Sequence, residues 1–174
     1  MKKIIIGLSV IFLILVGSAF PVFAYDGTTI YLVRHAEKIT DGSRDPALTK
    51  IGKERSKGIA NILHDKNLTH IFSTPFIRTR DTAAPTAHEH QLEIKNYDPM
   101  DSQGLVDKLK TLEGTILVTG HSNTTTGLVN LLTGSNLENL VEAIQYDMVY
   151  IVTLGDNGHT ELEIIHSEPR TPLQ

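Results

Sequence analysis

The sequence predicts an α/β fold: a three-layer α/β/α sandwich around a mainly parallel sheet. Three observations carry this. Short runs rich in β-branched and aliphatic residues, at 29–33, 69–73 and 115–119, read as buried strands. Stretches with helical spacing of apolar residues lie between them. Strands that alternate with helices build parallel sheets covered on both faces.

The chain has 174 residues, which suits one domain with a sizeable core. Its first residues read differently. Met1-Lys2-Lys3 is basic, residues 4–16 are almost wholly apolar, and residues 17–24 turn small and end Val22-Phe23-Ala24. This is the pattern of a secretory signal peptide over 1–24. It leaves a domain of 25–174 in the periplasm or outside the cell, touching membrane only if the segment stays uncleaved. The segment holds two lysines and no acid. The mature balance therefore falls from 16 to 14 basic residues against 20 acidic ones, or −6. No broad basic field attracts nucleic acid. The absence of cysteine excludes disulfides and thiolate metal sites.

The first strand ends on Arg34-His35-Ala36-Glu37-Lys38. Residues 39–46, rich in Asp, Gly, Ser and Pro, form a loop. A helix follows, with Thr49 as its N-cap and Ile51, Ile59, Ile62 and Leu63 at helical spacing. Gly58 marks a close approach in it. The second strand runs into Ser73-Thr74-Pro75-Phe76-Ile77-Arg78. Thr82, Ala83, Thr86 and Ala87 then share one helical face. Pro85 predicts a kinked or late-starting helix there. Residues 92–97 read as a short strand and Asp98 to Asp101 as a turn. Leu105, Val106, Leu109 and Leu112 have helical spacing. Residues 115–119 form a strand that ends in Gly120-His121-Ser122-Asn123-Thr124. A helix over 125–132 ends at Gly134, and 137–144 reads as another short helix. Strands at 148–154 and 161–165 flank an Asp156-Asn157-Gly158 hairpin turn.

Two buried strands thus end in a histidine, His35 and His121, and a third ends near Arg78. Residues at the carboxyl ends of adjacent parallel strands converge in one crevice. Ser122-Asn123-Thr124 opens a helix, whose first amides suit an anion, with Asn123 a candidate contact. Two arginines, two imidazoles and those donors fit a tetrahedral phosphate.

These residues resemble the signature of the histidine phosphatase superfamily, also called phosphoglycerate mutase-like. Arg34-His35-Ala36-Glu37 resembles its Arg-His-Gly/Ala-Glu motif. Leu48-Thr49-Lys50-Ile51-Gly52 resembles its Leu-Thr-x-x-Gly. Ser73, Arg78 and Thr82-Ala83 fall at its spacing, and Gly120-His121-Ser122-Asn123 resembles its second histidine segment. The four matches come in the family's order.

The resemblance implies a phosphoglycerate mutase-like fold and a phosphoric monoester hydrolase of the histidine acid phosphatase type. His35 would carry a phosphohistidine intermediate. Arg34, Arg78, His121 and Asn123 would hold the phosphoryl group. The implied partner is a small phosphorylated substrate, with no metal and no cofactor. Arg78 fits the family spacing better than Arg80. Glu37, Asp98 and Asp101 compete for the role of proton donor, Glu37 ranking first because it follows His35 by two residues. The segment from Thr79 to Gly120 is short and implies an open pocket. A mutase of the same fold and a non-catalytic phosphate-binding protein are the alternatives. His88-Glu89-His90 reads as helix surface rather than a metal cluster.

Overall fold

The computed structural model describes residues 27–155 and 158–171. The expected signal segment, the tip of the last hairpin and the final three residues lie outside that range. Six strands form one sheet: β1 (Gly27–Arg34), β2 (Leu68–Ser73), β3 (Ile94–Asn96), β4 (Gly114–Gly120), β5 (Met148–Gly155) and β6 (Thr160–His166). Their order is β3-β2-β4-β1-β5-β6. The first four run parallel. The β5–β6 hairpin is antiparallel and joins the edge of β1.

Among the described residues four helices cover the sheet: α1 (Lys50–Leu63), α2 (Ile77–His90), α3 (Ser102–Leu109) and α4 (Ser122–Thr133). The period-2 alternation of β1 sorts its side chains between two cores. Tyr31 and Val33 pack with Ile59 and Leu63 of α1 and with Ala83 and Ala87 of α2. Ile30 and Leu32 pack with Val106 and Leu109 of α3 and with Leu128 and Val129 of α4. The result is the expected three-layer sandwich. Each fully buried Leu, Ile or Val side chain contributes about 1.5–3 kcal/mol to it.

The local signals explain the element ends. Thr49 caps α1 by accepting the Gly52 N–H at 3.0 Å. Asp101 does the same for α3 through Gly104 N–H at 2.9 Å. Gly134 closes α4 at φ 72°, a left-handed conformation that glycine adopts without strain.

Two expectations need correction. The helix with Pro85 does not start late: α2 begins at Ile77 and runs through the proline. Pro85 removes only its own bond toward Asp81. Buried Thr82, Ala83, Thr86 and Ala87 hold the helix on both sides of it. The helix expected over 137–144 is absent, and the chain there is a loop ending in a turn. Its carbonyls have another use. Val141, Glu142 and Gln145 turn theirs toward Arg34.

Candidate active site

The sheet brings the two histidines together. In register, Arg34 of β1 stands beside Gly120 of β4, and Ser73 of β2 beside Thr119. The next residues, His35 and His121, therefore leave neighbouring strands at the same height. The ladder extends one step further, with His35 N–H donating to Gly120 O at 2.8 Å. The helices that follow, α1 and α4, lie on opposite faces, so the two loops diverge at the carboxyl end of the sheet, the edge where open α/β sheets bind ligands. The imidazole rings meet edge to face, 5.6 Å between centroids.

The backbone of the first loop is fixed by the second motif. Glu37 O accepts the Thr49 N–H at 2.8 Å and the Thr49 hydroxyl at 3.3 Å. A Cβ on Gly52 would lie 2.2 Å from that same carbonyl. Glycine at this position lets α1 approach the loop. On the other side, Ala36 N–H donates to Thr82 Oγ1 at 2.9 Å.

His35 is 2% exposed. Its Nδ1 lies 2.8 Å from Ala36 O. A carbonyl only accepts, so Nδ1 carries the proton and Nε2 keeps its lone pair. Burial, followed by the charges of Arg34, Arg78 and His121, lowers the pKa to about 3, although the Ala36 bond opposes this. His121 is lowered to about 4, by burial first and then by Arg78, with Glu142 opposing. Both rings are neutral at pH 7. His121 Nδ1 faces Arg78 Nη2 at 3.4 Å, and its Nε2 lies 3.1 Å from Thr74 Oγ1.

The arginines differ. Arg34 is fully buried, with Nη1 and Nη2 on the carbonyls of Val141, Gln145 and Glu142 at 2.9–3.3 Å. Its guanidinium lies 4.0 Å over the Tyr146 ring. Arg78 reaches His121, touches Asp45 Oδ1 at 3.4 Å and lies 4.5 Å over Phe76. The Nε atoms of both Arg34 and Arg78 are buried without a hydrogen-bond partner. Buried, unpaired guanidinium N–H groups are costly, and an anionic ligand would satisfy them. Arg80 points elsewhere, donating to Asn96 Oδ1 at 2.7 Å on β3. Asn123 is exposed in the first turn of α4, beside His121.

The three carboxylates weighed as proton donors do not meet this site as donors. Glu37 is the clearest correction. Its oxygens accept from Arg55 Nε at 3.1 and 2.9 Å and from Nη2 at 2.5 Å. Both oxygens of this carboxylate are committed to a buried guanidinium, away from the leaving group. Asp101 caps α3, and Asp98 accepts the Met100 N–H at 2.9 Å in the preceding turn. Both aspartates line a separate small hollow with Phe72 and Lys108.

Sequence reasoning missed Asp45, Phe76, Glu142 and Tyr146. Asp45 sits in a loop that reads as generic punctuation, yet it caps α2 through Ile77 N–H at 2.9 and 3.1 Å. Glu142 Oε1 accepts the Ser122 hydroxyl at 2.8 Å, and Oε2 lies 3.5 Å from Arg34. Tyr146 stands 6.2 Å from the His35 ring. Glu142 belongs to the segment expected to be a helix, and Tyr146 follows it. Glu89 pairs with His64, and His90 Nε2 faces Leu63 O at 3.1 Å, so these residues tie α2 to α1.

Comparison with known proteins agrees with the motifs. The model of the histidine phosphatase superfamily (branch 1) matches residues 30–101. A curated relative from Photorhabdus laumondii, named "Probable phosphoglycerate mutase GpmB", is 29% identical over 108 residues. That match covers 49% of this chain and only half of the relative's length. A mycobacterial glucosyl-3-phosphoglycerate phosphatase shares the fold with a TM-score of 0.64 at 12% identity, over 82% of this chain and all of that one. The protein histidine phosphatase SixA, solved with tungstate, has a TM-score of 0.64 at 19% identity, over 79% of this chain and 96% of its own. The signature in sequence, the matched family model and the shared architecture agree: residues 30–101 match the histidine phosphatase superfamily (branch 1), and the chain has the fold of the solved phosphatases it resembles.

Proposed function

We propose that this protein hydrolyses phosphomonoesters through a phosphohistidine on His35. One observation carries the reading: the bond from Nδ1 to Ala36 O leaves the His35 Nε2 lone pair free in a pocket walled by two arginines. Nε2 attacks phosphorus as the ester P–O bond breaks and the leaving oxygen departs with its electron pair. Water then attacks phosphorus as the P–N bond breaks; the bond pair returns to Nε2, the water's protons leave with inorganic phosphate, and His35 is again the neutral ring. Arg78 and the Arg34 Nε–H bind the phosphoryl oxygens, and His121 positions Arg78 through Nδ1. Charge builds on those oxygens, so fixed donors there stabilise the transition state more than the ground state. The first amides of α4 add donors on the His121 side.

The experiment is acid quenching during turnover of p-nitrophenyl phosphate. The enzyme should carry an acid-labile, base-stable phosphate on His35. His35→Ala should lose both the label and the activity while keeping its circular dichroism. Full activity in that variant would overturn the reading. The proposal includes export with cleavage after Ala24. Intact mass of the protein from its native host should begin at Tyr25.

A further inference from the structure

We infer that the site is selective for phosphomonoesters whose leaving group is an aromatic alcohol, a phenol-type oxygen on an apolar ring. The inference rests on the phosphatase reading above. Two independent observations support it: the rim of the pocket and the state of its acids.

The rim is apolar. Phe76 lies against His121, 5.1 Å between ring centroids, and Tyr146 flanks His35 from the other side. Ile77 follows Phe76 and is 46% exposed, with its N–H on Asp45 next to Arg78. Val141, 52% exposed, bonds Arg34 through its carbonyl. Ile39, 41% exposed, follows Lys38, whose charge acts on Glu142 across the mouth. Two aromatic rings thus flank the histidines, and three exposed aliphatic residues, Ile39, Ile77 and Val141, belong to the segments that carry the site. A polar sugar or glycerol body would leave them wet. A ring would remove them from water, and aromatic neighbours add further attraction.

The acids beside the histidines have their oxygens committed to other donors. Both Asp45 oxygens accept the Ile77 N–H at the start of α2, and Arg78 lies beside them. Glu142 accepts from Ser122 and faces Arg34. Desolvation raises its pKa, but the Ser122 bond and the Arg34 and Lys38 charges outweigh that and hold it below the ordinary value. Glu37 is closed on Arg55. His121 is neutral, with Nε2 turned to Thr74. An alkoxide leaves badly without a proton. A phenolate, whose conjugate acid ionises near about 10, leaves without one.

The test compares three esters on the purified full-length enzyme. Phenyl and cyclohexyl phosphate share shape but differ in leaving-group basicity. Cyclohexyl and glycerol phosphate share basicity but differ in polarity. General acid catalysis supplies about 10²–10⁴-fold where it operates. Phenyl phosphate should therefore exceed cyclohexyl phosphate in kcat by at least about 10²-fold, and glycerol phosphate should show the highest KM. The double variant I77N/V141N should raise KM for phenyl phosphate about 5–10-fold, with the inhibition constant of inorganic phosphate unchanged. Phenyl and cyclohexyl phosphate within tenfold of each other would reveal a proton donor and overturn the inference. So would equal KM values for cyclohexyl and glycerol phosphate, or wild-type KM in the rim variant. Phosphoimidazole turned over faster than phenyl phosphate would also overturn it. Absence of both turnover and His35 label with every ester would instead overturn the phosphatase reading, and this inference with it.

Discussion

The Glu37 carboxylate closes on the Arg55 guanidinium, with Arg55 Nε 2.9 Å from Oε2 and Nη2 2.5 Å from Oε1. Arg55 is 1% exposed, and its remaining donors reach Ser167, Pro169 O and Thr171 near the end of the chain. One buried cation thus joins the nucleophile loop, α1 and the C-terminal segment.

Glu37→Gln should therefore act on stability before chemistry. Removing one partner of a buried pair leaves an uncompensated charge and typically costs about 3–5 kcal/mol. Glu37 keeps 19% side-chain exposure, so the lower end applies. In a chain of this size about 3 kcal/mol lowers Tm by about 6–12 °C. The phenyl-to-cyclohexyl rate ratio should stay at the wild-type value. A collapse of kcat on the alkyl ester alone would restore Glu37 as the proton donor.

The two arginines of α2 should separate cleanly. Arg78→Ala removes a guanidinium next to His121 whose Nε has no protein partner. Charge-assisted contacts in a desolvated pocket are about twice as strong as neutral ones. The inhibition constant for phosphate or vanadate should rise by about 10²-fold. Arg80→Ala removes a contact to exposed Asn96 and should change it less than twofold. Equal effects would place the anion outside the His35–His121 crevice.

Much of this was legible in the sequence because local signals and tertiary demands agreed. The apolar runs that became β1 and β4 needed no help from context, and both end on their histidines. Thr49, Asp101 and Gly134 advertise helix ends through chemistry that acts within a few residues. Gly58 also carried its meaning: a Cβ there would lie 2.0 Å from Glu168 O. What could not be read was decided at long range. Residues 137–144 have helical spacing, but Arg34 draws their carbonyls across more than 100 positions. Glu37 looked like a catalytic acid by proximity to His35, and only the fold reveals Arg55 in front of it. Pro85 predicts a kinked or late-starting helix, and the buried face on either side of it lets α2 start at Ile77.

Gly52→Ala should damage both stability and rate. Its Cβ would lie 2.2 Å from Glu37 O, a backbone atom that also accepts from Thr49. Forced overpacking of this kind costs about 1–3 kcal/mol, which lowers Tm by about 2–12 °C. The displaced carbonyl belongs to the loop that aims His35, so kcat should fall while the inhibition constant of phosphate stays within a few-fold. Unchanged kcat with lowered Tm would mean that the loop moves without carrying the nucleophile.

The pH dependence follows from the two buried imidazoles. Burial above all, then the neighbouring arginines, holds His35 at about 3 and His121 at about 4, against an ordinary value of 6.5. Between pH 6.5 and those values the unfolded chain binds protons that the native protein refuses. Stability therefore rises with pH across that window and gains nothing more from these groups above it. Tm should climb from pH 4 to pH 6.5, and the climb should be shallower in His35→Gln, which lacks one of the two sites. Native carboxylates also titrate near the lower end, so the difference between the two proteins isolates the histidine. The same shift governs the rate. His35 attacks as the neutral ring, so kcat/KM should hold its plateau down to about pH 4 and fall only below it. An acid limb near pH 6.5, with equal Tm slopes in both proteins, would mean that His35 is hydrated and protonates as it does in the unfolded chain.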